Sequence, residues 1–398
     1  MDILVRQNDT FALYSRIFSV PLELIIDSNP TANPNRLMIG QTIKIPGYIA
    51  WQYTVQPGDS FWSIHRKFNI PLERLTFVNP LVQPQSLAPG NLLRIPSRAQ
   101  NEPASRAYEY SPSNLSQDFT RLKSVYPFIE QTEIGSSVEG RPLYLLRIGK
   151  GSRLVQWNAS FHANEWITTP ILMSLLDEHL WHISNNQSNE HQRRMNAYRG
   201  STLYVVGMVN PDGVELVING PSSSNEESVV KINGGSTDFS GWKANINGVD
   251  LNDQFPAGWE LEKERTQVTS PAPRDFPGNA PLDQPESKTM AQIAENIPFQ
   301  MMIALHTQGA EFYWGYEGLE PPESAKYAAL FSELSGYRSV QYVDSHAGYK
   351  DWYIAEFRKP GFTFELGRGV NPLPLSQFPE IYTAMKPVFI QSLMGLPE

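Results

Sequence analysis

The sequence predicts an α/β protein: a mixed, mostly parallel sheet with helices on both faces, preceded by two small βααβ units. Three observations predict it. Val5, Asp9, Asn29-Pro30, Gly40 and Ile45-Pro46 recur as Val55, Asp59, Asn79-Pro80, Gly90 and Ile95-Pro96, and a constant offset of fifty marks a duplicated structural unit. Beyond residue 110, short apolar runs alternate with helix-like stretches, the pattern of parallel strands joined by crossover helices. A chain of 398 residues with 40% hydrophobic and 11% aromatic content also exceeds what one core usually organises.

Taken in order, each repeat reads as a strand (3–5; 52–55), a turn (7–10; 56–60), two short helices and a closing strand (42–45; 92–95). Asp9-Thr10 and Asp59-Ser60 supply the oxygen acceptors that cap a helix start, and Pro21 and Pro71 open the second helix of each unit. The units are expected at 1–48 and 49–97. Residues 98–109 turn to Ser, Asn, Pro and Glu without apolar periodicity, a linker composition. The main domain is expected from 110 to 398. Its strands are placed at 143–148, 154–159, 203–209, 301–305 and 362–364, its helices at 116–126, 166–183, 323–334 and 378–393. The Gly-, Pro- and Asn-rich stretch 220–287 is expected to form long loops around the cleft.

Bulk composition narrows the function. A net charge of −9 disfavours nucleic acid as a partner. The chain has no cysteine, which leaves His, Asp and Glu to hold any metal. No apolar run has the length of a membrane span. Residues 1–7 lack the basic and apolar regions of a secretory signal, so synthesis in the cytoplasm is expected.

The chemistry centres on Ser160-Phe161-His162-Ala163-Asn164-Glu165-Trp166. An imidazole and a carboxylate three apart, directly after an apolar strand, are zinc-ligand types at a spacing that one turn can bring onto one ion. His306 ends the strand at 301–305 and completes the spacing of a catalytic zinc, two ligands close and a third distant. Glu365 lies in the apolar run Phe362-Thr363-Phe364-Glu365, where an unpaired charge is costly to bury; it is therefore expected to face a polar site as the general base. His179 and His182, on a helix among Leu175, Leu176, Trp181 and Ile183, read as structural histidines.

Two resemblances follow from these residues. Residues 1–97 resemble a tandem LysM module, which implies binding to N-acetylglucosamine-containing glycan such as peptidoglycan; Trp51, Phe61 and Trp62 are not assigned to that surface. His162-x-x-Glu165, the turn Asn210-Pro211-Asp212-Gly213, Gly248-Val249-Asp250-Leu251-Asn252, His306 and Phe364-Glu365-Leu366-Gly367 resemble, in that order, the M14 zinc carboxypeptidases over residues 110–398.

The second resemblance implies one Zn2+ on His162, Glu165 and His306, with Glu365 as base and acid. It implies a tyrosine over the substrate, best matched by Tyr349 with Tyr353 as alternative, and a carbonyl-polarising cation, matched by Lys243. Asn252 and Asp253 are implied to line the substrate. Asp253 stands where the family has an arginine for the terminal carboxylate. An ionised carboxylate repels another, so Asp253 is expected to meet a substrate cation, such as the ammonium of meso-diaminopimelate or lysine.

Together the two resemblances imply hydrolysis of the γ-D-glutamyl–L-diamino acid bond in peptidoglycan stem peptides, in a protein associated with the spore or cell wall during sporulation or lysis. The competing expectations are another zinc specificity, an L,D- or D,D-carboxypeptidase or a muropeptide amidase, and a non-catalytic wall-binding protein.

Overall fold

The computed structural model describes residues 1–100 and 109–397. The expected linker lies mostly outside them; Arg98, its first residue, ends a strand instead. The chain forms two compact units, one of Met1–Glu102, Phe119–Ile129 and Asp177–Met195, the other of Pro103–Asp118, Glu130–Leu176 and Asn196–Glu398.

In the first unit the two repeats take the same course. Strand β1 (Asp2–Leu4) pairs antiparallel with β2 (Thr42–Lys44), enclosing helices Phe11–Phe18 and Leu22–Asp27. Strand β3 (Tyr48–Thr54) pairs with β4 (Leu92–Arg98) around helices Phe61–Phe68 and Leu72–Val78. The recurring landmarks have physical reasons. Thr10 and Ser60 cap their helices by accepting from Leu13 N and Ser63 N. Asn29 donates to Ile25 O and Lys44 O and accepts from Lys44 N, and Asn79 does the same with Leu75 and Arg94. One amide thus ties helix end to closing strand and satisfies three backbone groups.

The two repeats lock together mainly through positions that do not recur, with one ion pair, Arg16–Glu73, between positions that do (Arg66 and Glu23 are their counterparts). Arg6 covers the ring of Phe77 at 3.9 Å and donates to Phe77 O, Arg74 donates to Ile17 O, and Arg16 pairs with Glu73 at 2.9 Å. The fifty-offset counterparts of Arg74 and Phe77 are Leu24 and Asp27.

The second unit carries an eight-stranded sheet. Its strands are β5 (Glu130–Ser136), β6 (Pro142–Gly149), β7 (Arg153–Ala159), β8 (Ser201–Val206), β9 (Met301–His306), β10 (Glu311–Tyr313), β11 (Arg338–Val340) and β12 (Gly361–Glu365), in the spatial order β11-β10-β12-β9-β7-β8-β6-β5. The central four, β12-β9-β7-β8, are parallel, and antiparallel pairs join β6 and β10 to them. Buried on both faces, those four read as apolar runs in the sequence. Successive β7 residues show both faces covered: Gln156 accepts from Tyr349 OH on helix Tyr349–Phe357, while Trp157 packs on Phe389 of helix Phe378–Met394.

Loops dominate 220–287 as expected, but helices Glu226–Ile232 and Trp259–Thr266 interrupt them. No helix of the described residues is long and apolar enough to cross a membrane.

Candidate metal centre

His162, His306 and Glu365 follow or end β7, β9 and β12, three neighbouring parallel strands, so their side chains gather at the carboxyl edge of the sheet, where open α/β sheets place ligands. Glu365 stands directly across from His306 in the β12–β9 ladder. Glu165 arrives from the 3-10 turn Ala163–Glu165 that His162 opens. That turn is pinned by hydroxyls: Ser160 N donates to Thr168 Oγ1, which donates to Glu165 O.

The Asn-Pro-Asp-Gly turn is a staple for the same region. Asn210 Nδ2 donates to Phe161 O and Ala244 O, and its Oδ1 accepts from Gly213 N. A Cβ on Gly213 would stand 2.6 Å from Ala244 O, so only glycine fits.

His162 Nδ1 lies 2.9 Å from Glu165 Oε1; His306 Nδ1 lies 3.1 Å from Glu165 Oε2 and 3.1 Å from His162 Nδ1. These donor atoms all fall within 4.8 Å of one another and the three residues are buried. Two imidazole nitrogens and a carboxylate crowded together out of water, with the two nitrogens 3.1 Å apart, are a donor set that zinc prefers. The residues fit that metal. Among the described residues, a second cluster, Glu178, His182 and Glu190, is already served by a cation: Arg194 donates to both carboxylates.

The charges gathered here set one another's proton affinities. Burial alone would lower the His162 imidazole, but Glu165 and Asp250 outweigh it and raise it to about 9. Burial would raise Glu165, yet the two imidazoles hold it well below the carboxylate range. Burial pushes Glu365 up to about 8, with Glu165 adding to the effect. For Lys243, burial is outweighed by Asp250, Asp253, Glu165 and Asp275, which keep it charged. Its ammonium is 3.0 Å from Asp250, and its backbone carbonyl accepts from Ala163 N, so Lys243 stands beside the His162 turn. Asp253 is buried, and burial together with Asp250 drives its carboxyl well above the usual range. Asn252 accepts from Tyr349 N through Oδ1.

The tyrosine expectation is corrected. Tyr349 is fully buried; its hydroxyl donates to Gln156 and its ring packs against Phe161, Phe255 and Trp352. Tyr353 is buried too and donates to Phe299 O. Neither projects over a substrate, because helix Tyr349–Phe357 is packed into the core. Between His306 and Glu365, Tyr342 is the tyrosine in the open, 53% exposed.

Three contributors escaped the sequence reading. Asp250 was visible only as part of a motif, yet it lies 3.1 Å from His162 Nε2 and holds Lys243; a carboxylate on the far nitrogen fixes the ring of a ligating histidine. Thr307 N donates to Glu165 Oε2, and Asn371 Nδ2 reaches Glu165 Oε1 at 3.4 Å and Thr307 O at 3.0 Å. A side chain 206 residues from its partner leaves no local signal.

Comparison with known proteins bears on this site. The zinc carboxypeptidase family, peptidase M14, matches residues 115–386, and the LysM domain matches 3–46 and 53–96. Gamma-D-glutamyl-L-diamino acid endopeptidase 1 of Lysinibacillus sphaericus is 52% identical over 395 residues, 99% of this chain and 100% of that protein. Carboxypeptidase B of Rattus norvegicus is 26% identical over 259 residues, 60% of this chain and 58% of its own. Among solved structures, carboxypeptidase A from Helicoverpa armigera matches with a TM-score of 0.54 at 17% identity, over 88% of this chain and 97% of that one. Thrombin activatable fibrinolysis inhibitor matches with a TM-score of 0.55 at 19% identity, over 73% and 78%. At such identities the structural likeness speaks to the fold.

Proposed function

This chain belongs to the zinc carboxypeptidase family, and from that premise we propose that it is a peptidoglycan hydrolase cutting the γ-D-glutamyl–L-diamino acid bond of wall stem peptides. The observation that carries the reading is the end-to-end likeness to the Lysinibacillus sphaericus endopeptidase, including both LysM regions. His162, Glu165 and His306 would hold one zinc, which when bound supplies Lewis acidity toward water and a carbonyl oxygen.

The remaining work falls to this chain. Glu365 takes a proton from the attacking water at its carboxylate and returns it to the nitrogen of the departing diamino acid. Asp250 holds the His162 ring and keeps Lys243 charged where negative charge develops on the carbonyl oxygen. Asp253, whose carboxyl burial and Asp250 hold above its usual range, gives up its proton and pairs with the cationic group of the diamino acid when that charge arrives beside it, Asn252 supports that wall, and Tyr342 takes over the role expected of Tyr349. The LysM modules, taken as 1–48 and 49–97 ahead of a peptidase domain from 110, hold the enzyme on N-acetylglucosamine-containing glycan, and we place it at the spore or cell wall during sporulation or lysis.

The test is incubation with L-Ala-γ-D-Glu-meso-diaminopimelate, with and without a chelator, and mass spectrometry of the products. L-Ala-D-Glu and free diaminopimelate are expected, with loss on chelation and recovery on adding zinc. Cleavage at another bond, or indifference to the chelator, would refute the reading.

A further inference from the structure

A γ-linkage leaves the α-carboxylate of the D-glutamyl residue free on the acyl side of the scissile bond. An ordinary α-linked peptide has no charge there, so an enzyme that acts on the γ-bond gains selectivity from a cation on that side. Most cations around the candidate site are committed. Lys243 lies between Asp250 and Asp275 at 3.0 and 3.8 Å, Arg274 pairs with Asp275, Arg338 with Glu311, and Lys350 with Asp351 and Gly315 O. Arg358 and Lys359 precede β12 and lie at its amino end, away from the carboxyl edge.

Arg368 differs from all of these. It follows Glu365 by three residues, is exposed, and among the described residues has no carboxylate within ion-pair distance. Among the described residues its guanidinium has one hydrogen-bond partner, Gly309 O at 3.4 Å, on the loop just past His306. Its backbone is fixed. Gln377 accepts from Arg368 N at 2.9 Å and donates to Arg368 O at 2.7 Å. The loop before it is bound to the third-ligand strand by Leu366 N to His306 O and Gly309 N to Gly367 O. Gly367 has φ +64, and a Cβ there would meet Leu373 at 2.6 Å, so this turn of the loop requires glycine. A rigid backbone presenting an uncommitted, forked guanidinium beside the base is suited to bidentate capture of a carboxylate.

We propose that Arg368 is a specificity-determining residue that binds the free α-carboxylate of the γ-D-glutamyl residue. The inference rests on the γ-D-glutamyl reading above. The experiment compares L-Ala-γ-D-Glu-meso-diaminopimelate with the same peptide carrying an α-carboxamide, for the parent enzyme, Arg368→Gln and Arg368→Lys.

The parent should favour the carboxylate peptide in kcat/KM by roughly 10- to 100-fold, the range of a charge-assisted hydrogen bond. Arg368→Gln should bring that ratio close to one, mainly by raising KM for the carboxylate peptide and leaving the carboxamide unchanged. Arg368→Lys should keep part of it, because charge survives without the fork. A ratio unchanged in Arg368→Gln, or equal losses on both peptides, would overturn the role of Arg368 while leaving the γ-D-glutamyl reading in place. If the parent cleaves neither peptide, that reading fails and this inference with it.

Discussion

At the scale of single residues, Asp250 is the side chain on which the candidate site turns. It touches His162, Lys243, and the backbone amides of Asn252 and Asp275. Asp250→Asn preserves its shape and removes its charge, so zinc affinity should fall about 10- to 100-fold, measured by competition against a chromophoric chelator. Asp253 makes a different prediction. Asp253→Asn should slow cleavage of peptides bearing the D-centre ammonium of diaminopimelate and spare analogues without it; equal losses on both would sink its assignment. The candidate ligands and the candidate base could be singled out because each stands out locally, a His or Glu beside or within an apolar strand. Tyr349 was misread because whether a tyrosine faces solvent or core is decided by packing: its partners Phe161, Gln156 and Phe255 lie about a hundred or more positions away.

Elements divide in a similar way. The four parallel strands were legible because a strand buried on both faces must be apolar throughout. The edge strand β5 was not, since most of its residues are exposed or half-buried, and three-residue strands such as β10 and β11 are too short for any period. Helix Pro285–Asn296 carries a further consequence. Glu286, fully buried in its first turn, accepts from Val138 N and lies 3.4 Å from Asn245 Nδ2, whose amide shapes the turn before Asp250. Burial raises its carboxyl from 4.5 to about 7. The folded protein then binds a proton that the unfolded chain has released, so this contribution is full below pH 4.5 and is lost as pH climbs to 7, about 3 kcal/mol in all. Urea unfolding between pH 4.5 and 8 should show that decline in the parent and a flatter profile in Glu286→Gln.

For the molecule as a whole, charge is unevenly distributed. The chain is −9 overall, yet its first hundred residues hold nine Lys and Arg against six Asp and Glu. The repeat region is thus the cationic part of an anionic protein, which suits attachment to a wall rich in carboxylates. Attachment and hydrolysis should therefore separate cleanly. Glu365→Gln is expected to lose roughly 10²- to 10⁴-fold in kcat, the usual worth of a general base, while still sedimenting with insoluble peptidoglycan as the parent does. Co-loss of binding in that variant would contradict the division of labour. The doubled unit was the most legible feature of the molecule, because a fixed period needs no knowledge of the fold. How its halves dock was invisible, since Arg74 and Phe77 are the positions at which the period breaks. That break gives the pair a direction. The Arg74 and Phe77 side chains that one half offers are absent from the other, so a chain with the two halves exchanged would keep every recurring landmark and lose the ring stacking and the Arg74 contact of the joint, and a third copy of the first half would bring no Arg74 or Phe77 to stack on.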